Sequence, residues 1–448
     1  MHLSRAFRIR SKDVIAFVGA GGKTTAMFRL ADELVAQDMR VITTTTTRLG
    51  AAQIERAPTA LRYDPSSNFV ARARVALAAQ PHILIVGDDV EDGKVSGVLP
   101  GFIDQLAALD AVDAVIYEAD GARRLPFKAP AAHEPVLANS TTLLVPVIGI
   151  SAIGAPLDDA HAHRAAIAAR LAGARVGETL TPMRAARVLA HSQGGLKGKP
   201  RAARAIILIN QVESDATRDS ARALARLLLG YSEIAAVAIG AARDDDPIRE
   251  TQRRVAAIVL AAGAGARMPG RVKQLLPWRG KTLIENALSI VAPAQATEKI
   301  VVLGAQAAQV RAAIRDAPAR VVINRSWEGG HSTSIRAGLN ALSPQIDAAI
   351  FVNADQPLLT TDAINAIIRR YYETDAPIVV PLYAGTRGSP VLFARAHFEE
   401  LKNLQGEQGG RELLSKYRDQ IAAVEFADAR MAMDVDTPED YASIAGEN

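Results

Sequence analysis

The sequence predicts an α/β protein with two doubly wound, mostly parallel sheets, one in each half of the chain. Three observations lead there. First, each half opens with a short apolar run that breaks into small residues: Val14–Val18 before Gly19-Ala20-Gly21-Gly22-Lys23-Thr24-Thr25, and Val255–Leu260 before Ala261-Ala262-Gly263-Ala264-Gly265-Ala266-Arg267. A strand that enters a glycine loop and then a helix is the opening unit of sheets with helices on both faces. Second, further apolar runs alternate with helical patterns in both halves, and parallel strands need such crossovers. Third, Ala241–Arg254 (AARDDDPIRETQRR) is polar, charged and interrupted by Pro247. That is linker composition, so domains are expected at 1–245 and 250–448.

The chain has 448 residues, enough for two or three domains at ~150 residues each. It contains no cysteine, which excludes disulfides, thiolate metal sites and a cysteine nucleophile, and fits a cytoplasmic location. Val14–Val18 is too short for a signal-peptide core, and no run approaches the ~20 apolar residues of a membrane span, so no membrane association is expected. The net charge of +4 comes from 52 basic and 48 acidic residues, and aromatic residues make up 4%. Without basic clusters or stacking aromatics a nucleic-acid partner is not expected; small anionic ligands are.

In the first half, the loop after Val14–Val18 leads into a helix patterned on Leu30, Leu34 and Val35. In a P-loop, backbone N–H groups and the helix N-terminus hold phosphates, the lysine reaches the outer phosphates and the first hydroxyl ligates magnesium. Gly21, Gly22, Lys23 and Thr24 fill those places for ATP or GTP. Phe17 stands where GxxxxGK[ST] has its first glycine, so the loop is a variant P-loop or a purely structural turn. Arg40–Thr44 reads as the second strand, its end marked by the hydroxyl row Thr43 to Thr47, which is either an ordinary strand end or a border of the nucleotide site. Ala114–Asp120 ends in Glu118 and Asp120, and Asp120 is the candidate magnesium carboxylate opposite the loop. Leu143–Ile148 and Ala205–Ile209 read as strands, with helices over Ala160–Leu171 and Pro182–Ala190. Asn210-Gln211-Val212-Glu213 departs at Gln211 and Glu213 from the Asn-Lys-x-Asp pattern that reads guanine. His161 and His163 are two apart and make no metal pair.

The strings GAGGKTT, TTTTT and EADGARRLPFKAP, followed by Glu134-Pro135, resemble the accessory proteins of selenium-dependent molybdenum hydroxylases, the YqeC family, over roughly Val14 to Ile239. The resemblance implies a nucleotide-binding fold in molybdoenzyme maturation, with a molybdenum hydroxylase as candidate partner. It names a pathway rather than a reaction.

In the second half, the loop after Val255–Leu260 lets backbone N–H groups of Leu260, Ala261, Ala262, Gly263 and Gly265 approach phosphates. Arg267 and Lys273 follow as counter-charges suited to a triphosphate. Leu283–Val291, Ala307–Ile314 and Ser334–Leu342 read as helices; Lys299–Leu303, Arg320–Ile323 and Ala348–Val352 read as strands. The last delivers Asp355 to the end of the sheet where ligands bind, as a magnesium ligand. A second ligand is expected from Asp434 or Asp436, which share one side of an extended stretch; Asp436 is alternatively the cap of a helix starting at Pro438.

LAAGAGARM, KQLLP, NADQPLL, GSPVLF and DVDTPED together resemble the MobA-like nucleotidyltransferases, most closely the molybdenum cofactor cytidylyltransferases (MocA-like), from Val255 to the C-terminus. The resemblance implies a Rossmann-like fold, Ser334 in the base and ribose loop with Asn324, Trp327 and Gly330, and Glu407 in place of an aspartate in a Gly-Asp-x-Gly-x-Arg segment. It also implies CTP over GTP, from Ala262 where the guanylyl branch tends to have glycine. Two positions depart from the pattern: Pro269 or Gly270 is inserted before Lys273, and His331 stands for methionine. The implied reaction moves CMP from CTP to the terminal phosphate of molybdopterin or its molybdenum form and releases pyrophosphate. A phosphate monoester is already ionised near neutral pH, so no general base is required and catalysis rests on positioning and charge neutralisation. Two alternatives stay open: another sugar- or alcohol-phosphate nucleotidyltransferase, or a nucleotide-switched carrier or insertion chaperone.

Overall fold

The computed structural model describes residues 1–64, 68–91, 93–268 and 270–445. The chain forms two compact units, Met1–Gln252 and Arg253–Asn448. In the first, nine strands run in the order Ile248–Gln252, Ala236–Gly240, Arg204–Asn210, Leu143–Gly149, Asp13–Gly19, Ala114–Glu118, Val41–Thr45, His82–Val86, Ala60–Arg62. All neighbours are parallel except the Ile248–Gln252 edge. The central strand shows why both faces are covered. Val14, Ala16 and Val18 enter one apolar cluster and Ile15 and Phe17 the other, as the two-residue repeat of a strand demands.

The linker expected over Ala241–Arg254 is corrected. Ile248–Gln252 is an edge strand of the first sheet, and the units divide after Gln252. Its polar sequence hid the burial: Glu250 is 1% exposed and receives a hydrogen bond from Arg222 Nε at 2.8 Å. The helix expected over Ala160–Leu171 is also shorter, spanning Ala165–Ala172, because Ala162–His163 pairs as a strand with Phe127–Lys128.

The strand His82–Val86 carries a titratable group into this core. His82 is 2% exposed and its Nε2 lies 2.9 Å from the Thr43 hydroxyl. Burial pushes its pKa down to about 4, against ~6.5 for the unfolded chain. Between these values the unfolded state holds the extra proton, so stability falls as pH falls, by ~1.4 kcal/mol per unit and about 3 kcal/mol in all. Urea midpoints of the first unit should follow that slope, and His82→Gln should flatten it. An equal slope in the variant would assign the acid sensitivity to other groups.

In the second unit the order is Arg320–Ile323, Glu298–Leu303, Val255–Ala261, Ala348–Asn353, Val391–Ala394, Ile378–Tyr383, Thr386–Arg387, with Ile421–Phe426 also paired to Ile378–Tyr383. The first four are mutually parallel, and Val391–Ala394 runs antiparallel to both neighbours. Alternate residues of Val255–Ala261 again divide between two apolar clusters. A smaller cluster joins Met268, Leu276, Trp278 and Leu283 to Val435 and Ile444. Each such side chain contributes ~1.5–3 kcal/mol on burial. This cluster holds the stretch after the glycine loop against the acidic segment near the C-terminus.

Candidate functional sites in the two units

In the first unit the glycine loop leaves the carboxyl end of Asp13–Gly19, between neighbours Ala114–Glu118 and Leu143–Gly149. Gly19, Gly21 and Gly22 have φ of +88°, +91° and +107°, and the helix Lys23–Val35 starts directly after them. A Cβ on Gly21 would sit 2.1 Å from the Gly149 nitrogen, so no side chain fits there. Asn210 braces the loop, donating to the Gly21 carbonyl at 2.8 Å and accepting from the Ala242 N–H at 2.8 Å. Its role at the strand end is therefore structural support of the loop, not the reading of a base.

Lys23 is 5% exposed, donates to the Gly19 carbonyl at 2.7 Å and lies 3.3 Å from Asp120. Asp120 also accepts from the Gly19 N–H at 3.1 Å and pairs with Lys128 at 2.9 Å. The carboxylate that meets the Thr24 hydroxyl is Glu118. Asp120, the expected magnesium carboxylate, is engaged by two lysines, whereas Glu118 faces Thr24. Burial, opposed by Lys23 and Thr24, raises the Glu118 pKa. The hydroxyl row is mostly internal, since Thr43, Thr44 and Thr45 are fully buried and only Thr47 reaches the cleft. This cleft measures about 1500 Å³ and runs from Gly21–Thr25 to Arg123, Arg124 and Arg164.

In the second unit a cleft of about 350 Å³ is lined by Leu260, Ala261, Gly263, Gly265, Arg267, Lys273 and Asp355, among others. Lys273 is its centre. It donates to Asp355 at 2.5 Å and to Asp436 at 2.8 Å. Burial works against its charge, but the two carboxylates outweigh burial and its pKa is raised. The residue before Gly270, Pro269, lies outside the described residues; whatever the insertion there, Lys273 reaches both carboxylates. Arg267 is 67% exposed and pairs with Asp436 at 2.9 Å, leaving most of its guanidinium at the mouth.

Asp434 and Asp436 flank Val435, which is 0% exposed and donates its N–H to the Asp355 carbonyl at 2.9 Å. The cap of the helix Pro438–Ala445 comes from Thr437 and Asp440, with Asp440 accepting from the Thr437 N–H at 2.8 Å and donating to Thr437 Oγ1 at 3.1 Å. Asp436 is thereby left facing the lysine. Loss of solvent, then the charges of Asp355 and Asp436, push the Asp434 pKa up to about 6.

Five residues expected at the nucleotide, Ala262, Asn324, Trp327, Gly330 and Ser334, are not among those lining this cleft. Ser334 is 6% exposed and accepts from Asn324 at 3.1 Å. Ala262 packs against Gly304, where an added Cβ would come within 2.8 Å of the Ala262 Cβ. The sequence reading missed Gln274, which donates to the Ala261 and Gly263 carbonyls at 3.2 and 2.7 Å and fixes the loop. Its place beside Lys273 was the available signal. His331 and Glu407 also line the cleft.

Among the described residues no three His, Cys, Asp or Glu side chains are grouped to hold a metal ion. The donors present still fit a hydrated divalent ion, which needs one or two carboxylates when phosphates and waters supply the rest. Asp355 and Asp436 converge on one point, and Asp355 Oδ1 is buried without a hydrogen-bond partner. No helix among the described residues is long and apolar enough to cross a membrane.

Residues 15–166 match the model of the YqeC protein family and residues 257–421 that of the MobA-like NTP transferase domain. YqeC of Escherichia coli K12 is 32% identical over 44% of this chain and 75% of its own length. Nicotine blue oxidoreductase of Paenarthrobacter nicotinovorans is 30% identical over 41% of this chain and 93% of its own. The purine catabolism protein PucB of Bacillus subtilis 168 is 30% identical over 41% and 92%. The chain thus joins two families: its N-terminal part belongs to the YqeC proteins and its C-terminal part to the MobA-like NTP transferases.

Proposed function

We propose that the second unit transfers CMP from CTP to the phosphate of molybdopterin or its molybdenum form, releasing pyrophosphate. The observation that carries a transferase reading is the buried Lys273 ammonium between Asp355 and Asp436, with Arg267 at the rim. Phosphoryl and nucleotidyl transfer need charge neutralisation and in-line positioning more than proton transfer, and this cluster supplies both signs of charge beside a glycine loop. Asp355 and Asp436, with Asp434 behind them, would hold magnesium, which when bound polarises the phosphate oxygens and offsets their repulsion. Lys273 and Arg267 take up negative charge on the departing pyrophosphate, and Gln274 holds the loop carbonyls so that its N–H groups face inward. The choice of molybdopterin and of CTP rests on the motif resemblance. It is tested by incubating the protein with magnesium, molybdopterin and CTP or GTP and following pyrophosphate; faster release with GTP would overturn the CTP assignment.

A second reading comes from the oxidoreductase among the relatives, matched over 93% of its length. A redox reaction would release no pyrophosphate, so the same pyrophosphate readout separates the two.

For the first unit we propose ATP or GTP at Gly21, Gly22, Lys23 and Thr24, with magnesium between Thr24 and Glu118, in service of cofactor delivery to a molybdenum hydroxylase. Lys23→Ala should weaken nucleotide binding about tenfold or more, the scale of a lost charge-assisted phosphate contact. Unchanged affinity by equilibrium dialysis would make the loop structural.

A further inference from the structure

We propose that Arg123 and Arg124 form a separate phosphate-binding subsite in the first unit, for a second, phosphate-bearing ligand that occupies the cleft together with the nucleotide. The inference deepens the nucleotide reading of the glycine loop and rests on it for the first ligand. Size is the first support. Small-molecule pockets commonly measure ~300–1,000 Å³, and this cleft, at about 1500 Å³, exceeds that range. Charge is the second. Its lining holds seven lysine and arginine side chains against three carboxylates, and two of the three are engaged: Glu118 with Thr24, Glu134 with Arg164 and Lys128.

Backbone geometry is the third support. Arg123 and Arg124 are consecutive residues with φ of +49° and +62°, a left-handed conformation that L side chains seldom adopt and that gathers at ligand clamps and active sites. Both are exposed on the cleft wall. Among the described residues neither guanidinium has an ion-pair partner, so each keeps its donor fork for a ligand.

The wall behind them is fixed. Arg164 forks onto Glu134 at 2.5 and 3.0 Å, Glu134 meets Lys128 at 2.8 Å, Lys128 meets Asp120 at 2.9 Å, and Asp120 meets Lys23 at 3.3 Å. This ladder of alternating charge runs from the loop lysine to the arginine wall. His163, on the same wall, has its pKa lowered by burial first and then by Arg164, Lys128 and Arg123, with Glu134 opposing. A phosphate monoester, doubly charged near neutral pH, suits such a wall better than a carboxylate because two forks can share its three terminal oxygens.

The test uses the intact chain and inorganic phosphate as probe, by equilibrium dialysis with ³²P, with and without magnesium and the non-hydrolysable ATP analogue AMP-PNP. Arg123→Gln/Arg124→Gln is compared with wild type, so that phosphate held by the second unit cancels. Expected is a loss of one phosphate site, or a weakening of about tenfold or more at it, with AMP-PNP affinity unchanged and the site still filled when AMP-PNP saturates. Equal phosphate binding in the double variant would overturn the subsite. One-for-one displacement by AMP-PNP would overturn it too, since the arginines would then serve the nucleotide's own phosphates. Arginine-dependent phosphate binding by a protein that takes no AMP-PNP would refute the nucleotide reading and leave the subsite standing.

Discussion

Replacing Asp355 with alanine is expected to lower pyrophosphate release about a hundred- to a thousandfold, the scale on which a single preorganised charge at a transferring phosphate acts. Asp355 combines three properties that no other carboxylate of the second unit shares. It stands at the end of the central strand Ala348–Asn353, it contacts Lys273 at 2.5 Å, and one of its oxygens is buried and unpartnered. The fold should survive, because the link to the acidic segment runs through the Asp355 carbonyl and the Val435 N–H, which the substitution keeps. Lys273 also retains Asp436. Thermal midpoints near wild type together with lost turnover are the expected pair of results. Wild-type rates in Asp355→Ala would refute the metal and charge assignment.

Lys128→Met should have the largest effect on stability. The Lys128 side chain is 1% exposed and lies between Asp120 and Glu134 at 2.9 and 2.8 Å, donating also to the Gly121 carbonyl at 2.6 Å. Burial alone would raise the Glu134 pKa, but Arg164 and Lys128 outweigh it and hold it down at about 2. Removing one partner from a buried ionic cluster leaves uncompensated charge, a cost of about 3–5 kcal/mol. Urea unfolding of the first unit should shift accordingly, and adding Glu134→Gln should restore part of the loss. A change within ~1 kcal/mol, the range of a surface pair, would mean that the ladder carries no such weight.

The fold was legible where apolar runs are unbroken. Val14–Val18, Leu143–Ile148 and Ala348–Val352 each lie within an observed strand, because strands buried on both faces read as continuous apolar runs. Ile248–Gln252 was not legible, since the charge of Glu250 is answered by Arg222, which stands 28 residues earlier in sequence. The candidate site divides in the same way. Arg267, Lys273 and Asp355, chosen from motifs far apart in sequence, meet at one cleft with Asp436, one of the two aspartates the last motif left open; Asp434, the other, does not line it. Ala262 and Ser334 sit behind it, because a side chain at the end of a strand or the start of a helix faces the core or the ligand according to a register that motif spacing does not carry. Glu118 and Asp120 show the limit most clearly. They are two residues apart, and only the positions of Thr24, Lys23 and Lys128 decide which carboxylate faces the hydroxyl.

The central claim, nucleotidyl transfer at the Lys273 cluster, is tested most directly by the stoichiometry of one reaction. Protein, magnesium, CTP and molybdopterin are mixed, and pyrophosphate and the mass of the pterin product are measured together. The expected result is one pyrophosphate for each molybdopterin that gains a CMP unit, with the rate in Asp355→Ala lower about a hundred- to a thousandfold. Molybdopterin shown to be bound, with neither pyrophosphate nor a CMP-bearing product, would contradict it.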